Sequence, residues 1–385
     1  MIRVLSSSDV ETHILPRLTL SALLHSQALA LTSLPPSSSP SASSAQCPAR
    51  LSLKTPQYTQ LFMPARTPSA ASVVKCVSVP LPGAGASAGI PGVNLLFSDE
   101  TGCVTHVVNS TLLTALRTAA GSLLSSVLAL APTRSTVRCG VVFGDGAQAI
   151  FHVWLHLRYF TQLKDITLVV SSHKQLTDTE LTLKRDHFTT KLRSLLATGA
   201  GAGDVPSIRV VSGTDAAEVD AAVRRSELVF TCTPSTKALF GGAALEGRTH
   251  VCAVGSYQPH MCELPSSLVH RAATEGTLWV DSTAACAHEA GCLLQAIPPQ
   301  QLHGAVIELG SLLHDPHTAA GGGNEKWLEA LEEKAAEWSR TNAGKGGEEG
   351  VVSVFKSVGV GLQDVEVTRL VVETAGEDVG TEVAF

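Results

Sequence analysis

Residues 137–152, VRCGVVFGDGAQAIFH, constrain the fold more than any other stretch of this chain. An apolar, β-favouring run over 139–143 meets the turn GDG at 144–146, and a helix-compatible segment starts at Ala147. The first glycine permits a tight turn, the second lets the backbone approach a pyrophosphate, and Ala149 allows close helix–strand packing. A helix start offers unpaired N–H groups to phosphate, so this order favours a dinucleotide site over an ordinary glycine-rich turn.

Length and charge exclude several classes of protein. A chain of 385 residues suits two domains, and 44% hydrophobic residues are enough for a sizeable core. The formal net charge of -6, without a long charge run, predicts no nucleic-acid partner. The apolar segment 18–34 is short and carries His25 and Gln27, so it fits an amphipathic helix better than a membrane span.

The cysteine pattern predicts reduced thiols and no metal site. The chain has nine cysteines, none in a C-x-x-C pair, and several stand in apolar runs. This is typical of buried thiols in a cytosolic protein. The opening MIRVLSSSDVE places an acid where a signal peptide would continue its apolar core, so a cytoplasmic location is expected.

Strands alternate with helical patterns from residue 137 onward, which predicts a parallel, doubly wound sheet. The predicted strands of this part are 137–143, 166–170, 208–211, 228–232, 250–254 and 278–281. In the part before residue 137, strands are predicted at 2–5, 58–63, 73–79, 94–98 and 104–108, and helices at 7–34 and 111–131. Three segments read as loops or insertions: 35–48, 197–206 and 314–350.

Lys75 lies in VVKCVSVP, where the alternation of a strand gives it the same face as three valines. A lysine on such a face binds an anion or serves as an acid/base group with a lowered pKa. The alternative is a lysine that reaches solvent from an edge strand. The local pattern leaves these two interpretations equally open.

Arg117 shares one face of a predicted helix with Leu113 and Leu124. A guanidinium within an apolar stripe needs a fixed anion, and the pattern alone favours a structural salt bridge. Nothing in the local sequence singles out Arg50, which reads as a solvated surface residue.

The strand predicted at 166–170 ends without the acid that an NAD site commonly uses for the ribose hydroxyls. Ser171, Ser172, His173 and Lys174 stand there instead. Hydroxyls and cations suit a 2′-phosphate, which favours NADP(H), with a plain loop as the alternative.

With these residues laid out, the chain resembles the ornithine cyclodeaminase/mu-crystallin family. The matching motifs are CPAR, FMPA, LLTALRTAA, FGDGAQA, VGSYQPHMCEL, VDS, EAG and VFKSVGVGLQD. The resemblance implies an α/β fold: a Rossmann-type doubly wound parallel sheet domain inserted into a second α/β substrate-binding and dimerisation domain. The implied boundaries are 1–117 plus 350–385 for the second domain, 118–313 for the Rossmann domain and 314–349 for an insertion.

The resemblance also implies residue roles. It raises Arg50, Lys75, Arg117 and Val358 to substrate contacts, with Lys75 as a catalytic residue beside Tyr257. The cofactor, NADP(H) or NAD(H), is implied to contact Arg117, Gly144, Gly146, Ala147, Gln148, Thr233, Val254, Gly255, Ser256 and Ser357, and the strand end discussed above adds Ser171 and Ser172. A homodimer and a small amino-acid or imine substrate are implied as partners.

Tyr257 departs from the family's cyclodeaminases, which carry a proton-transferring aspartate at this position. Met261 likewise stands where those enzymes have a lysine. A phenol, with an ordinary pKa of about 10, is a poor substitute for a carboxylate base. Mu-crystallin-like members, which act as ketimine reductases and ligand binders, also lack that aspartate.

Three hypotheses follow from the sequence. In the first, an NAD(P)H-dependent oxidoreductase reduces a small imine; Arg50 and Arg117 hold the substrate carboxylate, and Lys75, helped by Tyr257, polarises the imine or supplies a proton. In the second, an ornithine cyclodeaminase forms proline and ammonia with NAD, which the tyrosine disfavours. In the third, a non-catalytic protein binds a dinucleotide and a small ligand.

Overall fold

The computed structural model describes residues 1–34, 45–67, 71–81, 90–170, 176–198, 204–245, 247–317, 323–342 and 351–384. The chain divides into two compact units. Unit 1 comprises Met1–Arg117, Thr198–Ala200 and Val360–Phe385, and unit 2 comprises Thr118–Ala197 and Gly201–Gly359.

The described strands, in chain order, are β1 (Ile2–Leu5), β2 (Leu51–Lys54), β3 (Tyr58–Thr67), β4 (Ala71–Pro80), β5 (Gly92–Ser98), β6 (Val104–Asn109), β7 (Cys139–Phe143), β8 (Asp165–Val170), β9 (Ser207–Ser212), β10 (Leu228–Thr231), β11 (His250–Ala253), β12 (Leu278–Val280), β13 (Ile307–Glu308), β14 (Ser353–Lys356) and β15 (Thr381–Val383). The described α-helices are α1 (Ser7–Asp9), α2 (Leu20–Thr32), α3 (Thr111–Leu130), α4 (Ala147–Tyr159), α5 (Asp178–Thr198), α6 (Ala216–Arg224), α7 (Ser266–Glu275), α8 (Thr283–Glu289), α9 (Gly291–Leu294), α10 (Pro299–Ala305), α11 (Gly323–Asn342) and α12 (Gly361–Ala375).

Unit 1 is built on a sheet with the strand order β15-β1-β6-β5-β4-β3-β2. Its described pairs are antiparallel apart from β1 with β6. Helix α12 packs against α2 and against β3, β4 and β5, and its first two turns are buried. A Cβ on Gly361 would lie 2.8 Å from the Cβ of Ala65, so glycine lets the start of α12 approach the sheet closely.

The single helix predicted over 7–34 is wrong. The capped turn α1 leads into a π-helical turn at Val10–Ile14 and a 3-10 turn at Leu15–Arg17, and α2 begins only after Thr19, whose side chain caps it. Pro16 explains the break, because proline cannot donate the backbone hydrogen bond that a continuous helix needs there.

Unit 2 is built on a sheet with the order β13-β12-β14-β11-β10-β7-β8-β9, and its described pairs are all parallel. The chain leaves β7 for β8 on one side and later returns to β10 on the other. This reversal creates a switch point between β7 and β10, where open α/β sheets bind ligands. The predicted doubly wound parallel sheet is confirmed.

The carboxyl-terminal boundary differs from the one expected at residue 350. Strand β14 pairs with β11 and β12 in the sheet of unit 2, and the chain passes to unit 1 only after Gly359. The reason is the apolar run VVSVF, which is buried on both faces as a central parallel strand requires. The described part of the expected insertion forms α11, which buries Trp327, Leu331 and Ala335.

Helix α3 and its 3-10 extension, Thr111–Thr136, form the one described helix with the length and hydropathy of a membrane span. The apolar window of this helix is 89% buried within the protein. Core helices of soluble proteins have the same character.

A buried polar layer lies within unit 2, and we call it the Ser/His layer. It comprises Ser122, Ser125, Ser126, His152, His156, His250 and Ser353. Oγ–Nε2 distances of 2.9 Å join Ser122 to His152, Ser126 to His156 and Ser125 to His250. Nδ1 of His152 and of His156 each lies 2.7 Å from a carbonyl of α4, and Nδ1 of His250 lies 2.8 Å from Ser353 Oγ.

Neutral histidines satisfy each of these contacts of the histidine rings. A carbonyl only accepts, so Nδ1 carries the proton in His152 and His156, and Nε2 accepts from serine. Burial lowers the pKa of His152 to about 4 and that of His250 to about 3. The layer is therefore uncharged at neutral pH.

Candidate active site

Unit 1 contains a buried ionic group that we call the Lys75 cluster, formed by Lys75, Arg117, Gln363 and Asp364. Lys75 Nζ donates to Asp364 Oδ1 at 2.9 Å, and Arg117 Nε lies 3.3 Å from the same oxygen. Arg117 also donates from a terminal nitrogen to Gln363 Oε1 at 3.0 Å. All four side chains are at most 6% exposed.

The strand register and the start of α12 explain how the cluster forms. Lys75 stands on β4 directly opposite Met63 of β3 and Asn94 of β5, on the face that α12 covers. Gln363 and Asp364 lie in the first turn of α12, where Gln363 Oε1 also accepts from the N–H of Val360. The edge-strand interpretation of Lys75 is therefore wrong, because β4 is an interior strand and the side chain is buried.

The charges around Lys75 oppose one another. Burial lowers the pKa of Lys75 to about 8, the carboxylate of Asp364 opposes this shift, and the positive charges of Arg117 and Arg50 add to it. Arg50, which is itself half-buried in the segment before β2, thus lies within electrostatic range of the cluster. An amine with this pKa exchanges a proton readily near neutral pH.

Several polar atoms of the cluster have no hydrogen-bond partner among the described residues. They are Arg117 Nε, Gln363 Nε2 and Asp364 Oδ2. Asn94 Oδ1, on the strand beside Lys75, also has no hydrogen-bond partner among the described residues. Buried polar groups are almost always paired, because leaving one unpaired costs roughly 1–3 kcal/mol. Two spare donors and a spare carboxylate oxygen, with cations in excess, match a ligand that carries a carboxylate and an N–H group.

In unit 2, the glycine turn lies at the switch point of the sheet. Gly144 follows β7 with a φ of +101°, a conformation that favours glycine, and its N–H donates to Val169 at 2.9 Å. A Cβ on Gly144 would lie 2.9 Å from Cγ2 of Thr233, which follows β10. Thr233 Oγ1 is buried without a partner among the described residues.

Gly146 caps the amino end of α4. A Cβ built there would meet no atom of the described residues within 4 Å, and both Gly146 and Ala147 are exposed among them. The free space, the helix start and the unpartnered hydroxyl of Thr233 fit a pyrophosphate.

The segment after β11 is fixed by a fully buried ion pair. Lys356 Nζ donates to Glu263 Oε1 at 3.0 Å, and both side chains are 0% exposed. Glu263 also accepts from the N–H groups of Gly255 and Ser256, at 2.8 and 2.9 Å, and from the Ser256 hydroxyl at 2.9 Å. The pair therefore holds the loop that carries Tyr257.

A second buried carboxylate fixes the segment after β14. Asp281 Oδ2 accepts from the hydroxyl of Ser357 at 2.7 Å and from the N–H groups of Val358 and Gly359 at 3.0 and 2.7 Å. Strands β7, β10, β11 and β14 are consecutive neighbours, so the segments that follow them line one edge of the sheet.

Comparisons with known proteins find relatives in sequence and in fold. Residues 36–191 match the model of the ornithine cyclodeaminase/mu-crystallin family. Ketimine reductase mu-crystallin of Mus musculus is 26% identical over 282 residues, which cover 73% of this chain and 68% of the mouse protein. Delta(1)-pyrroline-2-carboxylate reductase of Bacillus cereus is 30% identical over 167 residues, which cover 43% of this chain and 42% of that enzyme.

The fold has a solved counterpart. Delta(1)-pyrroline-2-carboxylate reductase of Thermococcus litoralis, solved in complex with NADH and L-proline, superposes with a TM-score of 0.70 at 21% identity. The superposition covers 99% of this chain and 100% of that one. The chain is thus similar to the ornithine cyclodeaminase/mu-crystallin family in sequence, and it shares the fold of the Thermococcus enzyme.

Two serines that the family resemblance assigned to the cofactor form hydrogen bonds within the protein through their side chains. The hydroxyl of Ser256 is held by Glu263 and that of Ser357 by Asp281, so both serines shape their loops through their side chains. Ser171 and Ser172 lie outside the described residues. The roles of Gln148, Val254, Gly255 and Val358 in binding stay predictions, as does that of the half-buried Tyr257.

Sequence reasoning missed the residues that organise the site: Glu263, Asp281, Lys356, Gln363 and Asp364. All of them lie in or beside family motifs that were noted: CEL, VDS and VFKSVGVGLQD. An acid or a lysine inside an apolar run was the available signal, because such groups are buried only with partners.

Proposed function

We propose that this chain is an NAD(P)H-dependent oxidoreductase that reduces small cyclic ketimines carrying a carboxylate. The observation that carries the proposal is the Lys75 cluster, with its excess of cations and its unpartnered donors and acceptor. The ketimine and pyrroline-2-carboxylate reductases among its relatives support the same reaction class.

The substrate carboxylate is assigned to Arg117 and Arg50. A guanidinium binds a carboxylate through two parallel hydrogen bonds, and Gln363 holds Arg117 in place for this contact. Lys75 then supplies a proton to the imine nitrogen from Nζ. Burial of the cluster excludes water, which strengthens each of these interactions.

The cofactor is assigned to the glycine turn of unit 2. Gly144, Gly146, Ala147 and Thr233 are proposed to hold its pyrophosphate, on the fit described above. A bound NAD(P)H supplies the hydride that the reduction consumes. The segment 171–174, SSHK, carries no acid, which favours NADPH over NADH.

The test is the NADPH- and NADH-dependent reduction of Delta(1)-pyrroline-2-carboxylate and of its six-membered ring homologue, followed by the loss of reduced cofactor. We expect turnover with both rings and a lower KM for NADPH. Ammonia release from ornithine without added cofactor would instead establish a cyclodeaminase. Binding of the cofactor without turnover of any cyclic imine would establish the non-catalytic alternative.

A homodimer in the cytosol is proposed as the working form. Strand β2 lies at one edge of the unit 1 sheet and leaves Leu51 67% and Leu53 58% exposed, which suits burial against a second copy. Light scattering of the wild type and of a Leu51→Lys, Leu53→Lys variant tests this. We expect a dimer and a monomer, respectively.

A further inference from the structure

Asp364 is the least explained member of the Lys75 cluster. Its Oδ1 is shared by Lys75 and Arg117, while its Oδ2 has no partner among the described residues. The turn beneath it is anchored, since Thr368 donates its hydroxyl to the Asp364 carbonyl at 2.6 Å and accepts from the Asn94 amide at 2.6 Å. The Asp364 carboxylate itself contacts Lys75 and Arg117 rather than Thr368.

The groups around Lys75 come from several elements, and the thiol of Cys47, whose pKa burial raises, lies beside the start of α12. Arg117 of α3 and Arg50 of the segment before β2 are cationic, and the neighbouring Met63 and Asn94 are neutral. Asp364 is the anion that the described structure places against this amine. Without it, the amine would remain buried among positive charges and would lose its proton.

Resting on the proposed function, we propose that Asp364 is a positioning residue for proton delivery, which orients the ammonium of Lys75 and keeps it protonated. Lys75 then delivers the proton in a chain where Tyr257 stands at the position of the proton-transferring aspartate of family cyclodeaminases. In the step, the C=N π pair becomes the bond between nitrogen and the proton released by Lys75 Nζ. A bound NAD(P)H would supply the hydride for carbon and would leave oxidised, and Lys75 regains its proton from solvent.

The first test is the pH profile of kcat/KM for Delta(1)-pyrroline-2-carboxylate. We expect the wild type to lose activity above the pKa of Lys75, about 8. Asp364→Asn should move this alkaline limb down by about one pH unit or more and should lower kcat at least tenfold. Asp364→Glu should restore the limb, and it serves as the second variant if Asp364→Asn does not fold.

Thr368→Val is the matched structural control, because it removes a buried hydroxyl one turn along the same helix. It should lower the melting temperature but leave the limb in place. If the alkaline limb of the kcat/KM profile lies at the same pH in wild type and Asp364→Asn, the positioning role is overturned. An equal shift of this limb in Thr368→Val would overturn it as well.

A second readout does not need turnover. Pyrrole-2-carboxylate is a flat ring carboxylate, and its binding at pH 8 should draw a proton onto Lys75, visible as a buffer-dependent heat in calorimetry. Asp364→Asn should move this proton uptake to lower pH, and uptake at the same pH in both proteins would contradict the inference. Absence of both turnover and binding in the wild type would instead overturn the proposed function.

Discussion

Two buried polar regions of this molecule, the Lys75 cluster of unit 1 and the Ser/His layer of unit 2, differ in how their hydrogen bonds are completed. In the layer, every described side-chain nitrogen and hydroxyl has a partner, and the three histidines are neutral. In the cluster, three atoms lack hydrogen-bond partners among the residues that the structure describes, and the positive charges outnumber the negative ones.

This difference separates a structural polar network from a binding site. A satisfied network specifies how helices and strands pack, and it gains nothing from a ligand. An unsatisfied one carries a desolvation cost that a ligand of matching donors and charge removes. Burial alone does not make the distinction, since the side chains of both regions are almost fully buried.

Replacing Lys75 should have the largest effect on activity. Lys75→Met keeps the volume and apolar stem but removes the proton donor, so we expect a loss of roughly 10²–10⁴-fold in kcat/KM for ketimine reduction. The melting temperature should fall as well, because the buried carboxylate of Asp364 loses the ammonium that donates to it. Steady-state kinetics and thermal melts of the same preparation check both, and near-wild-type kinetics would remove Lys75 from the mechanism.

Acid should weaken the Ser/His layer. In the unfolded chain a histidine titrates near about 6.5, whereas the folded pKa of His152 is about 4. Between these two pKa values the unfolded state therefore binds more protons than the folded state. The contribution of His152 to the free energy of unfolding is fully present above the unfolded pKa, and it is lost as the pH falls toward the folded pKa. A single histidine of this kind contributes about 3 kcal/mol over that range.

Urea unfolding at a series of pH values measures this decline. The matched variant His152→Gln, which does not titrate, should flatten part of the slope. A free energy of unfolding that stays constant between the two pKa values would show that the layer is not neutral and dry as described.

The glycine turn offers a prediction about ligand space. Gly146→Val would fill the open region at the helix start, so we expect cofactor affinity to fall roughly 10–100-fold with little change in stability. Gly144→Ala should lose affinity and stability together, because of its positive φ and its contact with Thr233. Calorimetric titration with NADPH and thermal melts distinguish the two variants. Equal losses of stability in Gly146→Val and Gly144→Ala would contradict the interpretation that the space beside Gly146 is open.

The smallest effect is expected for one serine of the layer. Ser126→Ala leaves His156 Nε2 without its donor, which should cost about 1–3 kcal/mol of unfolding free energy. The kcat/KM for ketimine reduction should remain within about twofold, since the layer acts only through stability. A kinetic loss that exceeds the loss of stability would show that the layer also serves the reaction.

The sequence was informative where local patterns decide structure. Alternation placed β3 to β6 close to their observed bounds, and the strand–glycine–helix order located the switch point. It could not reveal that Pro16 breaks the first helix into several turns, or that β14 returns to the sheet of unit 2. These outcomes depend on pairing between distant segments, which no local window contains.

The same limit applies to the candidate site. Lys75 and Arg117 stood out because cations are rare on apolar faces, but their anion, Asp364, lies 289 residues beyond Lys75. The buried pair of Glu263 and Lys356 is also made across a long separation. Such partners become visible only once the chain is folded.

The central claim is that the Lys75 cluster recognises a carboxylate beside an imine. The most direct measurement compares NADPH oxidation with Delta(1)-pyrroline-2-carboxylate and with 1-pyrroline, the same ring without its carboxylate. We predict turnover of the first and at least about a hundredfold lower kcat/KM for the second, because a charged hydrogen-bonded pair and its buried partners would be lost. Equal rates for the two imines, or no turnover of either, would contradict the account.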